Sequence, residues 1–449
     1  MPPRRVRNRR AVLFLLMTPS SSSHTFWSGL ALAAFGLELL FFSVLRNVAG
    51  PFVSPVLFTC ASLLFTFAAW RALRDQPYAW AKFYPGAPAA AGRWALVAGL
   101  LLLAFYPRLS QIFAQLPIDA RTADALPSIE VYLRRLQSGQ PIYALITDFG
   151  YDFSPTYLPM MWLPFLLPDT LNLDYRWLGI WVLGLGLVFY AARLAGTRPS
   201  LYAGALLLGL PFLLLLPLLG ADAHVLGMSF ETLIIGYYFI LAAGILSDST
   251  GLRAVGLVLC LLSRFSLLFW VPLYLWLIYR HESPRRAFWL AGLVGLGILG
   301  IYVLPFLSQD WSSFAKGQAY YTQGAIAEWR GNLNPQGQPT QLFQGLGLAA
   351  YFYQYLPGDV ATRVGVLRVV HLVASAGSVT AVALWCWRRR AGLRLDYRHV
   401  ALLALKLNLV VFYAFIQVPY DNLLLLVPAL SVWVLLCLPD PGRAAAPTA

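Results

Sequence analysis

Residues 200–219 read SLYAGALLLGLPFLLLLPLL and carry no charged side chain. As an α-helix this run would be about 30 Å long, which matches the hydrocarbon core of a bilayer. Inside that core the backbone has to satisfy its own hydrogen bonds, and a helix does so within a single segment. The run therefore predicts a membrane-spanning helix.

Apolar runs recur along the whole chain. They lie at about 26–45, 52–70, 94–106, 177–194, 226–247, 252–279, 287–307, 364–387, 400–418 and 422–438, with a shorter one at 154–168. Of the 449 residues, 59% are hydrophobic and 12% are charged, and a soluble domain of this size could not bury so much apolar surface. The chain shows no alternating pattern of the β-barrel kind. We predict an all-α polytopic transmembrane bundle with about 11–13 spans.

The net charge of +14 would suggest a nucleic-acid partner, but the distribution of the basic residues predicts a membrane topology instead. The basic residues cluster beside the apolar runs, at Arg4–Arg10, Arg71–Arg93, Arg280–Arg286 and Arg388–Arg398. Short loops rich in arginine and lysine lie on the cytoplasmic side. We therefore expect these clusters inside and the loops at 107–153 and 308–342 outside, with no nucleic-acid partner.

The N-terminus favours a cytoplasmic tail over a signal peptide, because its arginines precede only a short apolar core, Ala11–Met17, and no Ala-x-Ala cleavage site. The four cysteines have neither metal nor disulfide spacing. We predict three parts of the chain: a basic tail and N-terminal hairpin (1–93), a core with the first external loop (94–310), and the second external loop with the C-terminal helices (311–449).

Two segments leave the topology open. The run at 154–168 would be about 22 Å long as a helix and the run at 252–279 about 42 Å. Either both cross the membrane once, or 154–168 is re-entrant and 252–279 forms two short helices. The second version places Arg193, Arg198 and Arg253 inside and Asp222 outside, which the charge rule prefers.

The loop from Pro107 to Phe153 is dense in charge within a largely apolar chain. Its ionisable residues are Asp119, Asp124, Glu130, Asp148, Asp152, Arg108, Arg121, Arg134 and Arg135. Ionisable groups concentrated at the water boundary of a membrane protein indicate chemistry there. Apolar residues recur at helical spacing from Leu126 to Leu136, which predicts an amphipathic helix lying on the membrane surface.

Short motifs around this helix resemble a known family. They are Asp124-Ala125-Leu126-Pro127, Ser138-Gly139-Gln140-Pro141-Ile142-Tyr143 and Thr156-Tyr157-Leu158-Pro159, with a looser likeness at Pro419-Tyr420-Asp421-Asn422. Over about residues 94–310 the chain resembles GT-C glycosyltransferases, in particular the polyprenyl-phosphate-sugar-dependent, mannosyltransferase-like membrane proteins of bacteria. It departs from the family pattern where Ile142 replaces the usual proline before Tyr143, and where two spans precede the family core.

The resemblance implies a hexosyltransferase of the bacterial plasma (inner) membrane, with its active site on the extracytoplasmic face. It would move a sugar, such as mannose, from a polyprenyl phosphate to a glycan, lipid or protein acceptor. The departing lipid phosphate requires no acid, so the reaction needs a base for the acceptor hydroxyl and cations for the phosphate. Asp124 is the predicted base and Glu130 the alternative. A single carboxylate used in this way would invert the anomeric centre, and no cofactor is required.

Arginine matches phosphate oxygens bidentately, so the predicted donor-phosphate ligands are Arg121, Arg134, Arg135 and Arg264. Arg264 lies inside an apolar run, where a charge is costly and indicates function, and family members often carry a basic residue there. Its structural alternative is a snorkelling arginine at a helix break.

Further candidate site residues are Tyr143, Asp148, Asp152, Tyr157 and Asp222. Asp148 and Asp152 could bind a divalent cation. Each acid also has an ordinary explanation: Asp124 could be a solvated acid at a helix start, and Glu130 could form a surface ion pair with Arg134. For Arg368, His371 and Lys406, which lie within spans, we expect structural pairing inside the bundle.

Two other classes of function remain open from the sequence. A transporter or lipid flippase would favour ionisable groups near the middle of the membrane and a symmetry between halves. This chain concentrates its acids at one boundary and shows no such symmetry. The other class is a non-catalytic membrane scaffold descended from the enzyme class.

Overall fold

The computed structural model describes residues 21–46, 48–74, 87–197, 199–331, 333–389 and 395–438. Within these ranges the chain is helical, and extended pairing is limited to two isolated bridges. The all-α prediction is therefore confirmed for this part of the chain. The predicted tail before Ser21 lies outside the described residues, as do Lys82, Arg198, Arg390 and Arg394.

We number the helices in chain order. Their bounds are α1 (Ser21–Ser43), α2 (Gly50–Leu73), α3 (Ala87–Ala104), α4 (Tyr106–Gln115), α5 (Ala125–Gln137), α6 (Pro159–Trp162), α7 (Leu166–Thr170), α8 (Arg176–Thr197), α9 (Leu201–Leu219), α10 (Ala223–Met228), α11 (Glu231–Ile245), α12 (Thr250–Leu261), α13 (Trp270–His281), α14 (Pro284–Ile298), α15 (Ser313–Arg330), α16 (Thr340–Gln344), α17 (Ala349–Tyr355), α18 (Val360–Arg388), α19 (Tyr397–Ala414) and α20 (Leu426–Leu436). Short 3₁₀ turns cover Leu163–Phe165, Phe265–Leu267, Leu307–Gln309 and Asp421–Leu425, and a π-turn at Leu299–Val303 continues α14.

Among the described residues, eight helices are long and apolar enough to cross a membrane. They cover His24–Ser43, Gly50–Leu73, Ala89–Gln115, Arg176–Thr197, Leu201–Leu219, Pro284–Val303, Val360–Arg388 and Tyr397–Ala414. The third is longer than the apolar run that predicted it, because α4 extends α3 as far as Gln115. The helices α11 and α12 and the segment Asn422–Leu436 are apolar but shorter. The prediction of a polytopic helical membrane protein is confirmed at this level.

Both segments that left the topology open are broken in the structure. The run at 154–168 contains only short helical pieces, the four-residue α6 and the start of the five-residue α7. The run at 252–279 divides into α12 and α13. In addition, Nη2 of Arg46, in the turn after α1, lies 2.8 Å from Oδ1 of Asp222. Asp222 therefore lies at the end of the bundle that carries the α1–α2 turn, as the second version requires.

The two ends of the bundle carry different residues. We call the end with the α1–α2 turn and α5 the loop end, because Nε of Arg108 in α4 donates to the carbonyl of Leu219 beside Asp222, at 2.8 Å. The other end, which we call the basic end, carries a buried ion pair between Arg253 and Glu282, with Nη2 and Oε1 separated by 2.7 Å.

The helix α11 is the centre of the fold, because all of its residues from Glu231 to Ile245 are buried. It packs closely against α8. A Cβ atom on Gly236 would lie 2.7 Å from the backbone carbonyl carbon of Val182, so only glycine permits this approach. Small residues at such crossings bring helix backbones together in membrane proteins.

Arg368, His371 and Lys406 each have a polar partner inside the bundle, as the sequence predicted. Nζ of Lys406 lies 2.6 Å from Oε1 of Glu38 and 2.5 Å from Oγ of Ser431, and Lys406 and Glu38 are both fully buried. Arg368 donates to Oγ1 of Thr322. His371 shares a 3.0 Å hydrogen bond with the amide of Gln417.

Candidate functional site

The amphipathic helix predicted in the first loop is α5, and its buried side faces protein. Leu126, Ile129 and Leu133 are buried as the spacing predicts. Tyr132 is also completely buried, with its ring centroid 5.7 Å from that of Trp162. The helix therefore packs onto the core through more of its surface than the single apolar stripe that the sequence predicted.

Asp124 occupies the N-cap position of α5, but its side chain does not cap the helix. Instead Oδ2 accepts a 3.2 Å hydrogen bond from the hydroxyl of Tyr151. The carboxyl group is half-buried. Burial raises the pKa of Asp124 above its usual value, and the hydrogen bond from Tyr151 acts against that rise. Asp124 therefore lies at the start of α5 as a partly exposed acid that bonds to Tyr151 and does not cap the helix.

Tyr151 reaches Asp124 because the chain from Ile146 to Phe153 folds back as a small hairpin. The backbone N–H groups of Ile146 and Phe153 each donate to the carbonyl of the other at 2.8 Å. Gly150 has a φ of 80°, which glycine adopts without strain. Tyr151 itself stays 46% exposed, so the hairpin covers Asp124 with a side chain at the surface.

The hydroxyl of Tyr157 is subject to the charges of both the predicted base, Asp124, and the predicted phosphate ligand, Arg264. Burial raises the pKa of its hydroxyl, the Asp124 carboxylate raises it further, and the charge of Arg264 acts in the opposite direction. Its backbone carbonyl accepts a 3.2 Å hydrogen bond from the hydroxyl of Tyr143. The rings of Tyr143 and Tyr157 both pack against that of Tyr132, with centroids 6.3 and 6.1 Å away.

Arg264 forms an ion pair with Glu231, through Nη2 and Oε1. The same Oε1 atom accepts a hydrogen bond from Nδ2 of Asn422, at 3.0 Å. The Arg264 side chain is 17% exposed and that of Glu231 is 2% exposed, so this charged cluster lies below the surface. Nε of Arg264 is buried and has no hydrogen-bond partner among the described residues.

The break between α12 and α13 holds Arg264 in place. The carbonyl of Leu262 accepts from the backbone N–H of Met160 at 2.9 Å. The carbonyl of Ser266 accepts from Nδ2 of Asn408 at 2.6 Å, and the Ser266 hydroxyl is 3.0 Å from that of Tyr238. A helix break within an apolar run leaves backbone groups unpaired, and these contacts satisfy them.

The predicted loop arginines lie apart from this cluster. Arg135 donates to the backbone carbonyls of Ile142, Ala144 and Leu145 at 3.2, 2.5 and 2.8 Å, so it braces the turn after α5. Arg134 forms an exposed ion pair with Asp148. Arg121 is exposed. Of the four arginines predicted for the phosphate, Arg264 is the one that pairs with the buried Glu231 and whose charge acts on the Tyr157 hydroxyl.

The remaining predicted carboxylates take up other positions. Glu130 is exposed, and the expected pair with Arg134 is replaced by the Arg134–Asp148 pair because the turn after α5 brings Asp148 to that guanidinium. Asp152 is exposed, and its backbone carbonyl accepts from the Tyr320 hydroxyl at 2.9 Å. Asp222 is 2% exposed and is paired with Arg46. Among the described residues, no group of three or more His, Cys, Asp or Glu side chains could hold a metal ion.

Several residues at the site had no assigned role in the sequence analysis. Glu231 is a carboxylate at the edge of an apolar run, and Asn422 belongs to the motif with the loose family likeness. Tyr320 in α15 contacts the first loop through Phe153, with ring centroids 6.3 Å apart. Tyr420 lies near both Asp124 and Glu328, whose charges act on its hydroxyl. Glu231 is the one of these residues that the sequence could have identified, because it lies in an apolar run. A carboxylate there is costly unless it functions or is paired.

A shallow hollow lies against the first turn of α5. It is lined by Pro117, Ile118, Asp119, Ala123, Leu126, Pro127, Gly227 and Met228. The start of α5 therefore lies against the residues at the end of α10.

Comparisons of the chain with protein-family models, with curated proteins and with solved structures find no match.

Proposed function

We propose that this chain is a membrane glycosyltransferase that moves a sugar from a polyprenyl phosphate to an acceptor hydroxyl, with inversion at the anomeric carbon. Asp124 is the base for the acceptor, and Arg264 binds the phosphate of the donor. The observation behind the proposal is that the charges of both Asp124 and Arg264 act on the hydroxyl of Tyr157. A base for the acceptor hydroxyl and a cation for the phosphate are the groups that this reaction needs.

The protonation behaviour of Asp124 supports its role as a base. A general base works best when its pKa is not far below the working pH, and burial moves the pKa of Asp124 upward. In the reaction, the acceptor oxygen forms a bond to the anomeric carbon while the bond from that carbon to the phosphate oxygen breaks. The acceptor proton goes to Asp124, and the departing phosphate keeps the electron pair of the broken bond.

The bond pattern of Arg264 supports its role toward the donor. Guanidinium groups bind phosphate oxygens well in partly dry sites. Arg264 uses Nη2 on Glu231, while its buried Nε has no acceptor among the described residues. This departs from the sequence-based proposal, since Arg134 and Arg135 are committed to Asp148 and to backbone carbonyls.

For topology we propose twelve crossings or half-crossings (α1, α2, α3, α8, α9, α11, α12, α13, α14, α18, α19 and α20), within the predicted range of about 11–13 spans. The basic end carries Arg71, Arg280 and Arg388, which supports its assignment to the cytoplasm. The loop end would then face outward from a bacterial plasma membrane, as in GT-C enzymes.

The test is sugar transfer by the purified protein in proteoliposomes, with radiolabelled polyprenyl-phosphate sugars as donors. We expect transfer by the wild type and a loss of about 10²-fold or more with Asp124→Asn, since the amide cannot accept the proton. Asp310→Asn is the matched control, because Asp310 is an acid of the second loop that pairs with Lys316 in solvent. Full transfer by the Asp124 variant would remove the base from the mechanism.

A transporter or flippase is the second candidate, and the Glu38–Lys406 pair within the spans is the observation that favours it. Both side chains are fully buried and are bonded to each other and to Ser431, so no path for a substrate reaches them in this conformation. Uptake of a labelled lipid or solute by proteoliposomes, together with no transfer from several donors, would favour this candidate. An inactive descendant of the enzyme class would show neither activity.

A further inference from the structure

One oxygen atom joins three distant parts of the chain at the loop end. Oε1 of Glu231 accepts hydrogen bonds from Arg264, 33 positions away, and from Asn422, 191 positions away. Glu231 is the first residue of α11, where the helix dipole favours a negative charge. The carboxylate is 1% exposed and is therefore fixed by its surroundings.

The contact between Glu231 and Arg264 leaves part of the guanidinium uncommitted. The pairing uses Nη2, whereas Nε is buried and meets no acceptor among the described residues. Buried N–H groups of native proteins nearly always have a partner. An anion that reaches this edge of the guanidinium would supply that partner.

The arginine at the basic end shows what a purely structural pairing looks like. Arg253 donates through Nε to the carbonyl of Gly244, and through Nη2 to the carbonyl of Ser247 and to Glu282. Its Nε, unlike that of Arg264, is satisfied by the protein. The two buried pairs therefore differ in whether the protein itself satisfies the Nε of the arginine.

We propose that Glu231 is a positioning residue that presents Arg264 to the phosphate of the lipid donor. Glu231 accepts from Nη2 of Arg264 and so fixes the rotation of the guanidinium. Asn422 donates to the same carboxylate oxygen, which keeps Glu231 in place if the arginine moves when phosphate binds. The Nε edge then stays turned toward the ligand. This inference rests on the proposed function in that the ligand is the phosphate of a polyprenyl donor.

The experiment measures binding of a polyprenyl phosphate without sugar to the purified protein in nanodiscs, by displacement of a radiolabelled polyprenyl phosphate. We expect Glu231→Gln to weaken binding by roughly tenfold, as is typical when the partner that orients a ligand-binding side chain is lost. We expect Asn422→Ala to weaken it by a smaller factor, and Arg264→Gln by at least as much as Glu231→Gln. The double variant Glu231→Gln/Arg264→Gln should bind no more weakly than Arg264→Gln, because Glu231 acts through Arg264.

Glu282→Gln is the matched control, since Glu282 is also a buried carboxylate paired with an arginine but lies at the basic end. It should lower the melting temperature and leave the affinity unchanged. Equal affinity of Glu231→Gln and wild type overturns the positioning role and leaves the proposed transferase intact. An additive loss in the double variant, or an equal loss with Glu282→Gln, assigns Glu231 to structure alone. If the wild type binds no polyprenyl phosphate, both this inference and the proposed donor fail.

Discussion

The hydroxyl of Tyr151 donates a hydrogen bond to Oδ2 of Asp124 over 3.2 Å, from the hairpin that folds back over the start of α5. This bond stabilises the ionised carboxylate, while burial of the same group favours its neutral form. The pKa of Asp124 is therefore set by two opposing contributions, one of which a single substitution removes.

Replacement of Tyr151 by phenylalanine should shift the pH dependence of sugar transfer. A base must be ionised, so transfer falls as the pH falls through the pKa of Asp124. Without the donor from Tyr151 that pKa rises, and the acid limb of the rate profile should move to higher pH. Tyr202→Phe is the control, because Tyr202 is 89% exposed. An acid limb that does not move would mean that another group titrates.

Substitution of Arg135 should loosen the turn after α5 without removing a phosphate ligand. Arg135→Gln loses hydrogen bonds to the carbonyls of Ile142, Ala144 and Leu145, and we expect faster proteolysis within residues 138–153. Arg134→Gln removes only an exposed ion pair, worth about 1 kcal/mol or less, and should leave the cleavage rate almost unchanged. Cleavage is followed by mass spectrometry. Similar rates for both variants would contradict the bracing role.

Removal of one member of the Glu38–Lys406 pair should destabilise the bundle more than removal of both. Lys406→Met leaves Glu38 buried without its cation, at a cost of about 3–5 kcal/mol. The double variant Glu38→Gln/Lys406→Met has no unpaired charge, and we expect it to recover much of that loss. Thermal unfolding in detergent, followed by tryptophan fluorescence, measures the difference. A double variant less stable than Lys406→Met would rule out this account.

A methyl group at Gly236 should disrupt the packing of α11 on α8. The added Cβ would lie 2.7 Å from the backbone of Val182, and overpacking of this kind costs about 1–3 kcal/mol. Gly292→Ala in α14 is the control, because no atom lies within 4 Å of its added Cβ. We expect a lower melting temperature and a lower yield for Gly236→Ala alone. Equal melting temperatures would show that the two helices can separate without cost.

The helical membrane class, the helix α5 and the special position of Arg264 could all be predicted from the sequence. These features depend on residues close together in the chain: an apolar run long enough for a bilayer, a helical spacing from Leu126 to Leu136, and one charge inside an apolar run. Such local patterns can be recognised in the sequence because, in lipid, every span must be apolar and must satisfy its own backbone hydrogen bonds.

The partners of the charged groups could not be predicted, since they come from distant segments. Glu231 meets Asn422, Arg46 meets Asp222, and Glu38 meets Lys406, across 191, 176 and 368 positions of the chain. The sequence offered four arginines for one phosphate, and all four carry the same charge. Packing of the helices determines which of them pairs with Glu231 and which brace loops, because a guanidinium acts on whatever lies within hydrogen-bond distance.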